Sequence, residues 1–192
     1  WSKTEEFEAL FQQYARMALT PDITYFSPLR AFYEIRIAEM LAKYPKYHSL
    51  FSSCNRNFRI KKNASTQRWC GVCPKCAYTY LLFAAFLPKK KLVRIFGEDL
   101  LMKETLFSTY KDILGFGAMK PFDCVGTFEE TQAALYVARR RFSHSPVVKQ
   151  FIPRIKNPAQ LVTRAMQTVD APYTPARFRF LGMRNALILG YG

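Results

Sequence analysis

The sequence predicts a mostly α-helical fold with a few short strands, an α/β fragment in class. Apolar residues recur at helical spacing through most of its length, several segments open on residues that start helices, and strand-like composition is confined to short stretches. Of the 192 residues, 49% are hydrophobic and 16% aromatic, a content that builds a core and excludes a disordered basic tail. The longest mostly apolar run, 78–87, is about half what a bilayer-spanning helix needs. The N-terminus also lacks the charged-then-apolar order of a secretion signal. No membrane association and a cytoplasmic location are therefore expected.

The first helix is read from Phe7, Leu10, Phe11, Tyr14 and Met17, with Glu5, Glu6 and Glu8 in the turn where the helix dipole favours anions. A short buried strand is expected over 23–26. Ser27 and Pro28 then suit the N-cap and first turn of a second helix, whose face is Leu29, Phe32, Tyr33, Ile37, Met40 and Leu41. The polar, cationic stretch 51–68 reads as an exposed loop. A helix packed on several sides is expected over 74–87, closed by Pro88 and Lys89, Lys90 and Lys91, where cations complement a helix C-terminus. Further helices are expected over 98–114, 128–142, 147–155 and 158–169. Thr127 and Glu130 form a capping box for the second of these, and Asn157-Pro158 opens the last. Residues 177–189 are strand-like, and Ala186-Leu187-Ile188-Leu189 running into Gly190-Tyr191-Gly192 resembles a parallel strand entering a phosphate loop. That ending, with Trp1 at the other end, marks the chain as part of something larger.

The strongest signal is cysteine spacing. Cys54, Cys70, Cys73 and Cys76 form C-x15-C-x2-C-x2-C. Thiolates two residues apart on a tight knuckle reach one ion together, and a remote cysteine completes a tetrahedral shell for zinc. Gly71 and Pro74 suit the knuckle. An iron–sulfur cluster is the competing metal, and buried reduced thiols or disulfides are the alternatives without one. Four thiolates would leave zinc no open position, so the ion would be structural, locking the Cys54 loop onto the helix that starts at Pro74. Asn55, Arg56, Asn57 and Arg59 on that loop are candidates for phosphate or carboxylate contacts, or are simply solvated. Lys75, inside the knuckle, is placed to donate to the thiolates.

The Ser-Pro-Leu turn, Ser53-Cys54 and Trp69-Cys70-Gly71-Val72-Cys73-Pro74-Lys75-Cys76 together resemble the C-terminal part of PP-loop ATP pyrophosphatases such as 7-cyano-7-deazaguanine synthase. In that group the four-cysteine order binds structural zinc. Ser53-Cys54-Asn55-Arg56-Asn57-Phe58 and Pro121-Phe122-Asp123-Cys124-Val125-Gly126-Thr127 are similar, more closely, to the UDP-N-acetylmuramoyl-L-alanyl-L-glutamate epimerases of peptidoglycan precursor synthesis. The resemblance spans about residues 20–135. It implies that residues 1–95 are the C-terminal part of a PP-loop-like domain, 96–172 a helical C-terminal region, and 173–192 a linker and the first strand of a following domain. The run 184–192 is similar to the opening of a Mur D-glutamate ligase, so a fusion to such a ligase is a possible partner arrangement. The Ser-Gly-Gly-x-x-Ser-type loop that defines PP-loop ATPases is absent from these residues, so the fragment alone is expected to be inactive.

The resemblance further implies that ATP with Mg²⁺ activates the terminal glutamate of a UDP-muramoyl dipeptide as an acyl-adenylate. Its α-proton is then acidic enough for a base to remove, and reprotonation on the opposite face followed by hydrolysis completes the inversion. Candidates for proton transfer are few. Cys124 is the one thiol outside the metal set, with a small core residue as the alternative reading, and His48 and His144 are the two histidines. Cys124 and His48 are taken as the catalytic candidates; His144 follows Arg139, Arg140 and Arg141 and reads as a solvated helix end. The net charge of +15 suits an anionic nucleotide-linked substrate. It equally suits the rivals: a PP-loop enzyme that modifies tRNA or forms a deazapurine, or a non-enzymatic zinc-knuckle module that binds nucleic acid.

Overall fold

A computed structural model of the chain describes residues 4–57, 68–122 and 124–179. Its helices are α1 (Glu5–Tyr14), α2 (Glu34–Ala42), α3 (Pro74–Ala84), α4 (Lys89–Phe96), α5 (Phe107–Ile113), α6 (Phe128–Ala138), α7 (Pro146–Phe151), α8 (Pro158–Met166) and α9 (Ala176–Arg179). The helical expectation is met, whereas the expected short strands are not. Among the described residues the only β pairing is one antiparallel bridge, Phe32 to Thr168. None of their helices is long and apolar enough to cross a membrane. The chain forms two compact units: Trp1–Phe32 with Thr168–Gly192, and Tyr33–Gln167.

In the first unit, Thr4 caps α1 by accepting from the Phe7 N–H at 3.2 Å, and the chain continues through a wider π-helical turn, Ala15–Leu19. The buried face of α1 is polar. Glu8 pairs with Arg30 at 2.6 Å and accepts from the Ser27 N–H at 3.0 Å; the Gln12 amide donates to the carbonyls of Tyr25 at 2.6 Å and Tyr173 at 3.0 Å. These bonds explain two departures from expectation. Residues 23–26 carry no regular secondary structure, and a side chain rather than a neighbouring strand takes the Tyr25 carbonyl. Ser27-Pro28 starts turns instead of a helix, with Arg30 drawn to Glu8 and Phe32 drawn to Thr168, so α2 begins only after an extended Tyr33. Of the strand expected over 177–189, residues up to Arg179 belong to α9; the remainder and the 190–192 glycine loop lie outside the described residues.

In the second unit α3 is the central element, and every side chain from Cys76 to Ala85 is buried. Helices α2, α4, α5 and α6 pack around it, and α8 packs on α6 and α2, so residues on both sides of position 95 share one core. Pro74 occupies the first turn of α3, and Arg141 closes the other end by donating to the carbonyls of Ala84 at 3.2 Å and Ala85 at 2.7 Å. The Thr127–Glu130 capping box of α6 is present in both directions, at 3.1 and 2.9 Å. Other expected helices are shorter. Asp99 accepts from Leu101 N–H and from the Tyr80 hydroxyl, so 98–106 forms two 3₁₀ turns before α5. Pro153, without an N–H, converts the end of the 147–155 helix to the 3₁₀ turn Ile152–Arg154. The Lys89-Lys90-Lys91 run opens α4 rather than closing α3, because Leu92 and Phe96 give the following residues an apolar face of their own.

Candidate metal centre

The four cysteines predicted as a metal set converge. Their Sγ atoms all lie within 4.8 Å of one another, and Cys54, Cys73 and Cys76 are buried. The Sγ of Cys76 is 3.4 Å from that of Cys73 and 3.7 Å from that of Cys70, too far for a disulfide bond of about 2.05 Å. Cys73 is the N-cap of α3, and its sulfur accepts from the Cys76 N–H at 3.4 Å. Gly71 takes φ +64°, the left-handed conformation that lets the chain double back between Cys70 and Cys73. Further backbone N–H groups aim at sulfur: Asn55 at Cys73, Gly71 at Cys76, and Val72 and Cys73 at Cys70. Such N–H···S bonds orient thiolate ligands and disperse their charge.

The electrostatics fit a site built for anionic sulfur. Hydrogen bonding from the Cys76 thiol pulls the Cys73 thiol down to about 5, and the same bond with burial pushes Cys76 well up. Burial chiefly raises Cys70. Without a cation the cluster therefore shares protons instead of ionising fully. A metal ion bound there would take their place, because a positive charge makes several adjacent thiolates tolerable in a buried site.

The loop candidates are placed differently from one another. Asn55 and Arg56 lie exposed on the turn after Cys54, closed by Asn57 N–H donating to the Cys54 carbonyl at 3.1 Å. Asn57 Nδ2 donates to the Arg68 carbonyl at 2.5 Å, which ties the turn to the segment leading into Cys70. Arg59 lies outside the described residues. His48 is buried, with Nε2 donating to the Leu41 carbonyl at 3.1 Å. It lines a cavity of about 440 Å³ together with Arg68, Lys91 and Arg94. Cys124 does not line that cavity and is exposed, so it is not the core residue of the alternative reading.

Lys75 departs from expectation. Its ammonium turns away from the sulfurs, donates to the Cys124 carbonyl, stands 3.7 Å from Glu34 Oε2 and covers the Tyr78 ring at 5.2 Å. The reason is the direction of α3: thiols at Cys73 and Cys76 face the knuckle, while Lys75 faces α2 and the 121–127 segment. Sequence reasoning missed the group that this creates. Glu130 accepts from Glu34 N–H at 2.6 Å and Thr127 N–H at 2.9 Å, and the fully buried Tyr78 hydroxyl lies beside it with no hydrogen-bond partner among the described residues. A Cβ at Gly126 would sit 2.1 Å from that hydroxyl and 2.7 Å from Glu130 Oε2. The signals were the capping box and the glycine one residue before it.

A small helical domain organised by a buried four-cysteine site capable of holding a metal ion is the class that fold and geometry define. Within it, the family model of the MurL C-terminal domain matches residues 50–166, and the chain belongs to that family. A UDP-N-acetyl-alpha-D-muramoyl-L-alanyl-L-glutamate epimerase of Xanthomonas oryzae pv. oryzae is 39% identical over 90% of the chain. Epimerases of the same name from a Micromonospora strain and from Salinispora tropica are 37% and 34% identical over 83% and 93%. The chain spans 36 to 40% of the length of these curated relatives. No solved structure matches it.

Proposed function

We propose that this chain is the C-terminal portion of an enzyme that inverts the terminal L-glutamate of UDP-N-acetylmuramoyl-L-alanyl-L-glutamate, with ATP and Mg²⁺, in the cytoplasmic synthesis of peptidoglycan precursors. The observation that carries this reading is the 39% identity over 90% of the chain to a relative of that name. The α-proton beside a free carboxylate is weakly acidic, because the negative charge already there opposes forming a second one. Activating the α-carboxyl as an acyl-adenylate makes the proton removable, and its return from the other face sets the D configuration. A substrate that carries a diphosphate and carboxylates suits a chain of net charge +15.

The four cysteines hold zinc in this reading. A tetrahedral shell with Zn–S bonds of about 2.3 Å places its sulfurs about 3.8 Å apart, and separations of 3.4 and 3.7 Å within a 4.8 Å group support it. A cluster that gives each thiolate a different iron needs a wider cage. Zinc saturated by Cys54, Cys70, Cys73 and Cys76 supplies no chemistry to the substrate; it pins the 54–57 turn to the start of α3. That turn then presents Asn55 and Arg56 outward, with Asn57 bracing it and Arg59 following. His48 and Cys124 are the proposed proton-transfer groups, His48 through Nδ1, since Nε2 is engaged.

The parent enzyme, incubated with ATP, Mg²⁺ and the UDP-linked dipeptide, is expected to release AMP and to yield D-glutamate on acid hydrolysis. Absence of the D-isomer above chemical background refutes the reaction. Elemental analysis is expected to find one zinc per chain and none bound tightly after Cys73→Ser; a metal-free parent with native circular dichroism refutes the zinc assignment.

A further inference from the structure

The cavity that receives His48 is cationic on several sides and lies within the second unit. Ser49 follows His48 on its wall, Arg68 enters from the segment before Cys70, and Lys91 and Arg94 enter from α4. The rest of its described lining, Pro45 and Ile95, is uncharged, so no carboxylate faces these groups there. Lys91 and Arg94 are three residues apart on one exposed helix face, where like charges repel. Lys91 also sits in the first turn of α4, the end at which the helix dipole opposes cations. Lys89, in that same turn, is neutralised by Asp99 at 2.8 Å. Among the described residues no ion pair is found for Lys91, Arg94 or Arg68.

The scaffold beneath is stiff. Trp69 packs on Phe96 at 4.6 Å and on Phe51 at 5.5 Å, Phe51 packs on Phe83 at 5.2 Å, and His48 meets the edge of Phe83 at 6.4 Å. Arg68 is held by its Nη1 bond to the Leu50 carbonyl at 2.5 Å, and a guanidinium has further N–H donors to offer. Converging unpaired cations on a fixed floor are an arrangement that an anion stabilises, by removing their mutual repulsion and complementing the helix dipole. A cavity of about 440 Å³ falls in the range of small-molecule sites, roughly 300–1,000 Å³, and exceeds what a lone phosphate fills.

We propose that this cavity binds a diphosphate group, with Lys91, Arg94 and Arg68 on its oxygens and His48 and Ser49 lining the same wall. Two sources share that chemistry: the diphosphate of a UDP-linked substrate and the pyrophosphate released when a carboxylate is adenylated. The choice of a diphosphate over other anions rests on the epimerase reading. Binding and turnover are therefore measured separately, so that a failure of dipeptide conversion by the parent enzyme leaves the binding result to be judged alone.

Calorimetric titration of the chain at low ionic strength uses UDP, pyrophosphate and uridine in turn. UDP or pyrophosphate is expected to bind and uridine not; tighter UDP assigns the cavity to the substrate's nucleotide end, and tighter pyrophosphate assigns it to the leaving group. Replacing Lys91→Gln with Arg94→Gln is expected to weaken binding at least tenfold at unchanged circular dichroism and metal content, whereas Lys90→Gln, outside the lining, leaves it unchanged. Should the double variant fail to fold, Lys91→Gln alone is expected to weaken binding and flatten its salt dependence. The proposal is overturned if neither diphosphate binds, if the substitutions leave the affinity unaltered, or if a structured RNA binds more tightly than both and loses affinity on the same substitutions.

Discussion

At the scale of single residues, Gly126 shows how one missing side chain lets buried polar groups meet. The Tyr78 hydroxyl, Glu130 carboxylate and Gly126 backbone approach so closely that a methyl group at 126 would overlap the phenol oxygen. Both opposing groups are buried and belong to helices, so they have little room to retreat. Gly126→Ala is expected to destabilise the fold by about 1–3 kcal/mol, the range for overpacking a filled site. Urea denaturation with an unchanged midpoint would show that the overlap relaxes freely. Lys75 belongs to the same neighbourhood: one residue from the Cys76 thiol, it serves the Cys124 carbonyl and Glu34 instead.

At the scale of elements, helix ends decide where the chain turns. The capping box of α6 does two things, since the Glu130 carboxylate that returns to Thr127 N–H also accepts from Glu34 N–H at the start of α2. Removing the hydroxyl in Thr127→Ala is expected to cost about 0.5–2 kcal/mol, as for other N-caps, with Thr127→Ser recovering most of it. A thermal-melt difference absent between wild type and Thr127→Ala would contradict this. The Arg141 guanidinium performs the opposite service for α3, its Nη1 donating to the terminal carbonyls of Ala84 and Ala85. The lysines opening α4 set their charges against the dipole, and among the described residues only Lys89 of the three has an ion pair.

At the scale of the second unit, the core is unusually rich in buried phenols. Tyr78, Tyr80 and Tyr110 are all fully buried. Burial raises each of them above the ordinary tyrosine range, with Glu130 and Glu34 adding to Tyr78 and Asp99 to Tyr80 and Tyr110. Their effect on stability has a definite sign. Below about pH 10 the phenols are neutral in both folded and unfolded chains and stability is independent of them. Above it the unfolded chain loses protons that the folded chain keeps, so stability falls by about 1.4 kcal/mol per pH unit for each tyrosine. The share of tyrosinate absorbance that belongs to these three phenols is expected to appear only with loss of circular dichroism above pH 10, whereas exposed tyrosines such as Tyr14 and Tyr44 need no unfolding to ionise; full ionisation of all the tyrosines in a still-folded chain would refute the burial.

How much of this was legible beforehand depends on whether the signal was local. The cysteine spacing, the Thr127–Glu130 box, the buried character of 74–87 and the start of α3 at Pro74 could all be read, because each is decided by neighbours within a turn or two or by ligand chemistry that tolerates few alternatives. Helix lengths were overestimated at 98–114 and 147–155, where Asp99 bonding and Pro153 interrupt the apolar period. The short strand at 23–26 could not be judged locally, since whether an extended segment is a strand depends on a partner, and here Gln12 takes its carbonyl. Sequence by itself determined that the chain is helical and carries four convergent thiols. Only the tertiary structure decided that Lys75 leaves the sulfurs for Glu34, that Tyr78 meets Gly126 and Glu130, and that His48 shares a cavity with Arg68, Lys91 and Arg94. Those groupings join residues tens of positions apart, and only packing around α3 brings them within reach of one another.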